Sequence, residues 1–208
     1  MITLRIATNF ADVQRAYRAL QVDVRDKAMS AALNRTITKG RAEMVRAITA
    51  EYAIRASDVR AQLHLRKAAR QRLEAELEAF GRRRGRRSRN VILFGAREVK
   101  GKGKAVRVRF RGARGWATRM VRKGGGVSIK IKRGGPRKLI PGAFIGNQGR
   151  TVFIRTGTAR LPIRGVETVD VPQMFNTRAI NARVVRHMER ELPKEFASAA
   201  RRFTELKR

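Results

Sequence analysis

The chain has 208 residues, 42% of them hydrophobic, which suffices for a buried core and excludes a disordered basic tail. Its 50 Lys and Arg against 16 Asp and Glu give a net charge of +34, which points to nucleic acid, an anionic membrane surface or an acidic protein as the neighbour. The absence of cysteine excludes disulfides, thiolate metal sites and a cysteine nucleophile. With no signal-peptide pattern and no apolar run of roughly 18–20 residues, we expect a soluble protein made in the cytoplasm without a membrane partner.

The first 70 residues are predicted to be mostly helical. Asn9 is a suitable cap for a helix that begins at Phe10, and a second helix is predicted from about 27 to 52. Ser57 is expected to open a short helix from 58 to about 65. The residues expected to be buried recur at helical spacing and are Phe10, Val13, Tyr17, Leu20, Val24, Leu33, Ile37, Met44, Val45 and Ile48.

Residues 71–172 are predicted to form basic β-structure. Apolar residues alternate with charged ones in 73–79, 106–111 and 127–132, a period of two that is typical of strands with one buried face. Further extended segments are expected at 91–94, 152–154 and 161–171. Two Gly/Arg/Lys-rich runs, 81–89 and 111–126, are expected to be long basic loops.

The last segment, 173–208, is predicted to be a helix that starts at Asn176 or Thr177. Its apolar stripe is Ile180, Val184, Met188, Leu192, Phe196, Phe203 and Leu206. Pro193 is expected to kink or break this helix near Leu192, because proline lacks the backbone N–H donor. The predicted fold is therefore a single α+β domain over 1–208, with N-terminal helices and a C-terminal helix packed on a central antiparallel β-sheet.

The positive charge is concentrated in the middle of the chain. Residues 81–150 contain 23 Lys and Arg and one acid, Glu98. Such a window is suited to phosphate contacts that do not read sequence, although a charge run is more often a solvated face. The residues predicted to contact DNA or an acidic partner are Arg82, Arg83, Arg84, Arg86, Arg87, Arg89, Arg107, Arg109, Arg111, Arg122, Lys123, Lys130 and Lys132.

Enzymatic chemistry is not indicated by the sequence. His64 and His187 are isolated, the carboxylates are scattered, and the glycine clusters do not form a phosphate-binding loop between a strand and a helix. We therefore expect no catalytic residues, no metal and no cofactor. The residue pattern leaves open a structural protein and a free nucleic-acid-binding protein without sequence specificity. A third class, a nuclease or other processing enzyme, would need a metal-binding cluster of carboxylates that the sequence does not show.

Several short segments occur in an order that is more specific than composition. They are LIPGAFI at 139–145, VFIR at 152–155, RLPIR at 160–164 and VPQMF at 171–175, preceded by ALNR at 32–35, SDVR at 57–60, LEAEL at 73–77 and FGAR at 94–97, and followed by LPKE at 192–195. In this order the chain resembles the phage minor tail protein Z family over nearly its whole length. The runs at 82–89 and 111–126 are longer and more basic than expected for that family.

This resemblance implies a virion protein that completes the tail of a lambda-like phage at its head-proximal end, or neck, for head–tail joining and placement of the DNA end. It further implies a homo-oligomer, by analogy a hexameric ring, that meets tail terminator, tail tube or head–tail connector proteins and genomic DNA in the channel. Turn and joint residues of the motifs are then candidate contacts with a subunit or neighbour, namely Pro141, Phe144, Ile145, Leu161, Pro162, Met174 and Phe175.

Overall fold

The computed structural model describes residues 2–6, 11–80, 88–108, 117–123, 125–157 and 161–205. The chain divides into two compact units. Unit 1 comprises Met1–Glu51, Arg55–Arg87 and Val169–Arg208, and unit 2 comprises Tyr52–Ile54 and Ser88–Thr168. Helices and antiparallel strands are both present, which confirms the α+β class. The expectation of a single domain over 1–208 stays a prediction.

The described residues of unit 1 form five helices, two of them long. They are α1 (Ala11–Arg18), α2 (Val22–Glu51), α3 (Ala56–Arg60), α4 (Val171–Phe175) and α5 (Arg178–Glu205). Helices α2 and α5 pack against each other, and the predicted burial of their apolar stripes is confirmed for Leu33, Ile37, Met44, Val45, Ile48, Ile180, Val184, Met188, Leu192 and Phe196. Helical spacing places these side chains along one face of each helix, so that the two faces form the core.

The first predicted helix is shorter than its apolar stripe suggested. Helix α1 ends at Arg18, and Val24 is buried from α2, which starts five residues before the predicted position 27. The proposed cap Asn9 and the first residue Phe10 lie outside the described residues. The stripe therefore continues across a short break between two helices.

Helix α5 runs without interruption through Pro193, so the predicted break near Leu192 is wrong, and a kink at this place stays a prediction. The flanking side chains of Leu192 and Phe196 are both buried. Proline inside a helix costs roughly 3 kcal/mol, and burial of the large apolar residues on either side offsets a loss of that size. Packing against the core thus overrides the local preference.

Helix α4 was not predicted, although its sequence contains clear signals. Asp170 caps it, with its carboxylate accepting from the Val171 N–H at 2.7 Å. The Gln173 side chain accepts from the Asp170 N–H at 3.2 Å, which completes a capping box, and Pro172 lies in the first turn. The chain therefore makes a separate helical turn before α5 begins.

A three-stranded sheet completes unit 1. Strand β3 (Ala75–Ala79) lies between β1 (Ile2–Ile6) and β2 (Leu63–Arg66), and both pairs are antiparallel. The helix predicted over 58–65 is therefore wrong beyond Arg60. Leu63 is 2% exposed and pairs with Ala79, so sheet pairing and burial outweigh the helical preference of this segment.

In the part of unit 2 that the structure describes, short strands form four small sheets. The strands are β4 (Ser88–Asn90), β5 (Arg97–Val99), β6 (Lys102–Val108), β7 (Ala117–Lys123), β8 (Gly126–Ile129), β9 (Lys138–Pro141), β10 (Phe144–Gly146), β11 (Thr151–Arg155), β12 (Ile163–Gly165) and β13 (Glu167–Val169). Their orders are β5-β8-β9, β10-β11-β12, β6-β7 and β13-β4. The strand predicted over 106–111 is confirmed for 106–108, and the rest of it lies outside the described residues. The strand predicted over 127–132 is confirmed for 127–129 and the one over 152–154 for its whole length, whereas the antiparallel pairing is divided among small sheets.

The segment 91–94 is a 3₁₀ helix, and the prediction of an extended segment is wrong here. The Asn90 side chain caps it by accepting from the Ile92 N–H, and Gly95 ends it in the left-handed conformation with φ of 60°. This turn brings Val91 into a core with Val127, Ile129, Ala143 and Val152. Unit 2 thereby has a core of its own.

Candidate functional site

The excess positive charge is distributed unequally between the two units. Unit 2 carries 21 Lys and Arg and two acids, Glu98 and Glu167. Unit 1 carries the remaining 29 Lys and Arg and 14 acids of the 50 and 16 in the whole chain. Unit 1 therefore holds most of the carboxylates available for internal ion pairs, and unit 2 is left strongly basic.

Ion pairs between α2 and α5 use several of the acids of unit 1. The Lys39 ammonium lies 2.6 Å from the nearest carboxylate oxygens of Glu191 and of Glu195. Arg35–Glu195 at 3.4 Å and Arg183–Glu43 at 2.7 Å also join the two helices, whereas Arg46–Glu43 at 2.8 Å lies within α2 and Lys194–Glu191 at 3.0 Å lies within α5. The carboxylates thus attach the two long helices to each other.

These contacts change the protonation of the groups involved. Hydrogen bonds from Lys39 and then Lys194 lower the pKa of Glu191 to about 2, and the Lys39 hydrogen bond also lowers the pKa of Glu195. The same hydrogen bonds raise the pKa of Lys39. All three groups therefore stay charged at neutral pH, as a structural ion-pair network does.

Glu76 is the one fully buried carboxylate side chain of the unit 1 sheet among the described residues, with 1% of its surface exposed. Arg66 lies 3.2 Å from one of its oxygens and Arg72 lies 3.0 Å from the other. The buried charge is thus paired on both sides, as burial requires. The alternation that predicted Glu76 on a charged outer face is wrong at this position, because β3 is central and covered.

In the β5-β8-β9 sheet the predicted alternation holds. Val127 and Ile129 lie in the core, while Ser128 and Lys130 between and after them are half-buried. Arg137 donates to the Ser128 hydroxyl at 2.9 Å, to the Ser128 carbonyl at 2.8 Å and to the Gly95 carbonyl at 2.6 Å. Its guanidinium therefore fixes this sheet to the 3₁₀ turn, and Lys132 lies exposed beyond the strand.

The other residues predicted to contact DNA are only partly placed. Arg89 belongs to β4, Arg107 stands opposite Thr118 in the β6-β7 pair, and Arg122 and Lys123 stand opposite Gly103 and Lys102. Seven lie outside the described residues, namely Arg82, Arg83, Arg84, Arg86, Arg87, Arg109 and Arg111. Pairing of β6 with β7 brings the basic segments 102–107 and 119–123 side by side.

The residues predicted to contact a subunit or neighbour fall into two groups. Met174 and Phe175 are fully buried in unit 1, so their side chains offer no surface to another protein and this part of the prediction is wrong. Pro141, Leu161 and Pro162 are exposed, and Phe144 and Ile145 are half-buried. Ile145 packs on the core of unit 2.

Three residues missed by the sequence reasoning surround Phe144. Phe153 stands directly opposite Phe144, Arg155 stands opposite Ile163, and the Arg155 guanidinium carbon lies 4.6 Å from the centre of the Phe144 ring. The alternation in VFIR at 152–155 was a usable signal, since Val152 is buried and its neighbours in sequence must point away from the core. These side chains form an ordered apolar surface beside a cation.

An apolar hollow of about 290 Å³ lies between α1 and α5, and its lining offers no polar side chain for chemistry. Its lining residues are Val13, Ala16, Ala19, Leu20, Pro193, Phe196, Ala197 and Ala200. Within the part of the chain that is described, no three His, Asp or Glu side chains lie close enough together to hold a metal ion. None of the described helices is long and apolar enough to cross a membrane.

The chain was compared with models of known protein families. The family model described as prophage minor tail protein Z matches residues 14–206. No curated protein and no solved structure matches the chain.

Proposed function

Since the chain belongs to the prophage minor tail protein Z family, and is thus a structural protein of a phage tail, we propose that it completes the tail at the end that joins the head. In this role it prepares the finished tail for head joining and holds the end of the genome in position. Its neighbours are then the tail terminator, tail tube or head–tail connector proteins.

The observation that carries this proposal is the composition of unit 2, with 21 Lys and Arg against two acids. Contacts to phosphate fix position without reading bases, which suits a protein that must hold any DNA end that reaches the tail. Unit 1, with its internal ion pairs, supplies the scaffold. A tail component with no contact to DNA or to an acidic neighbour has no use for such a charge.

The proposal includes a closed homo-oligomeric ring, with sixfold symmetry by analogy with tails. If unit 2 faces the channel of the ring, its cations contact the DNA. The DNA phosphates then neutralise the cations of neighbouring copies. Without a polyanion, the like charges of the copies repel one another and oppose assembly. In this proposal, assembly of the ring therefore requires that unit 2 face the DNA.

The test is quantitative mass spectrometry of purified phage particles after separation of heads and tails. We expect a small fixed number of copies per particle, close to a multiple of six, in the tail or neck fraction. Absence from intact particles, with recovery on intracellular DNA or RNA, would overturn the proposal in favour of a free nucleic-acid-binding protein.

A further inference from the structure

The outer surface of the β10-β11-β12 sheet carries an ordered group of apolar side chains. Direct pairing of Phe144 with Phe153 and of Arg155 with Ile163 places each pair on one side of the sheet. Phe153 and Arg155 are two residues apart on β11 and therefore share a side. We call these four residues, together with the adjacent Leu161, the aromatic face.

The opposite side of the same sheet is the core side. Val152 is fully buried, and Ile145 packs against the same core cluster. Because side chains alternate along a strand, the aromatic face points away from that core. Ile163 exposes 38% of its surface and Leu161 exposes 66%.

The side chains of the aromatic face are already packed against one another in the absence of a partner. The Phe144 and Phe153 rings lie with their centres 6.0 Å apart at 33°, and Arg155 is stacked on Phe144. A Cβ atom at Gly146 would lie 3.1 Å from the Phe153 ring, so glycine is what allows this ring to lie close over β10. Ordered aromatic and Arg side chains are those that dominate binding energy at protein interfaces.

The positive charge around the aromatic face indicates which kind of partner it binds. No acid occurs in the sequence between Glu98 and Glu167, while Arg155 lies on this face and Arg150 is exposed just before β11. We propose that the aromatic face docks an acidic protein, one that presents apolar side chains within a ring of Asp and Glu. The proposal rests on the proposed function, because it gives the chemistry of one neighbour in the tail.

Two other occupants fit the same surface less well. A second copy of the chain docked through this face brings Arg against Arg, and like charges across an interface oppose association. Nucleic acid would satisfy the arginines but leaves Leu161 and Ile163 without a favourable contact, since aliphatic side chains gain little from phosphates or sugars. An acidic protein with an apolar centre satisfies both features.

The experiment measures binding of the purified full-length protein to tails made by a phage in which this gene is interrupted, by co-sedimentation. The variants are F144A and the pair I163E and I163K, with L139A as the control at an exposed apolar residue outside the face. We expect F144A to weaken binding at least tenfold and L139A to change it less than about twofold. We expect I163E to weaken binding at least tenfold, and I163K to bind at least threefold more tightly than I163E, because the partner is acidic.

Circular dichroism and thermal unfolding verify that each variant is folded. If F144A does not fold, I163E and I163K still test the inference. Binding of all face variants as tightly as wild type would overturn the inference. So would loss of duplex or single-stranded DNA binding by F144A with tail binding unchanged, which assigns the face to nucleic acid. A smaller oligomer of F144A in sedimentation velocity would assign it to a second copy. Failure of the wild-type protein to bind tails at all would instead overturn the proposed function.

Discussion

The Asn90 side chain connects two segments of unit 2 through hydrogen bonds to their backbones. Its Oδ1 atom accepts from the N–H groups of Ile92 at 3.1 Å and Val152 at 2.8 Å, and its Nδ2 atom donates to the Val152 carbonyl at 3.0 Å. The side chain therefore joins the 3₁₀ helix to β11. Val152 lies in the core, so its N–H group depends on this acceptor.

Replacement of Asn90 by alanine is expected to lower the free energy of unfolding by about 2 kcal/mol, since a buried N–H loses its acceptor. Chemical denaturation followed by circular dichroism measures the change. The control N181A alters an asparagine of α5 and should change stability by less than about 0.5 kcal/mol. Equal stability of N90A and wild type would show that the backbone rearranges to replace these bonds.

Lys39 has the corresponding role in unit 1, between α2 and α5. It holds both Glu191 and Glu195, and the pKa values of both carboxyls are lowered by its hydrogen bonds. A lowered carboxyl pKa contributes stability above the pKa of the unfolded chain and loses it as pH falls through the folded value. For Glu191 this window runs from the ordinary value of 4.5 down to about 2.

The variant K39M is therefore expected to be less stable than wild type above pH 4.5, and the difference should shrink as pH falls toward 2. Thermal unfolding between pH 2 and 7 checks this, with K138M as a control at an exposed lysine of unit 2. If the stability difference between K39M and wild type did not depend on pH, the cause would be the lost packing of the Lys39 stem and not the lost ion pairs.

At the scale of elements, the close approach of α2 and α5 depends on one glycine. A Cβ atom at Gly40 would overlap the Met188 sulfur and lie 3.0 Å from the Met188 Cγ, and Met188 is 4% exposed. Added volume at Gly40 therefore has no space unless Met188 moves. Glycine is accepted inside a helix here, despite its helix propensity about 1 kcal/mol below alanine, because it allows this approach.

We expect G40A to lower the free energy of unfolding by about 1–3 kcal/mol through overpacking, and M188A to lower it by about 2–4 kcal/mol by leaving a cavity. The double variant should lose less than the sum, since the new methyl occupies space that Met188 vacates. Denaturation of the four proteins measures this coupling. A stabilising G40A would show that helix propensity outweighs the contact.

At the scale of the whole molecule, the net charge of +34 governs association. Unit 1 compensates part of its own charge with ion pairs, and unit 2 has two acids with which to do so. One of them, Glu98, accepts a hydrogen bond from the Ile145 backbone N–H at 3.1 Å. External anions are therefore the natural counter-charge of unit 2.

We expect the protein to bind duplexes of unrelated sequence with similar affinity, and to lose about a thousandfold in affinity between 50 and 200 mM salt. The variant with Ser at Arg82, Arg83, Arg84, Arg86 and Arg87, which lie outside the described residues, should fold normally, show a smaller salt slope and impair plaque yield or DNA retention. Titrations by fluorescence anisotropy and plaque assays check this. Unchanged plaque yield would count against any role for that run.

Features that local periodicity and composition encode can be predicted from the sequence alone. Examples are the apolar stripes of α2 and α5, the alternation in β8 and β11, and the excess positive charge of the middle segment. Each of these patterns lies within one continuous stretch of the sequence, so no knowledge of distant contacts is needed to recognise it. The order of short motifs identified the family, and the match over 14–206 confirms it.

Features that depend on partners far away in the sequence became visible only in the folded chain. Leu63 joins a strand because β3 offers a pairing edge, Pro193 stays helical because its neighbours are buried, and Glu76 is buried because two arginines reach it. The aromatic face likewise needs Arg155 to fold back over Phe144. Pairing and burial bring together residues far apart in sequence, and no local pattern specifies which partner a segment will meet.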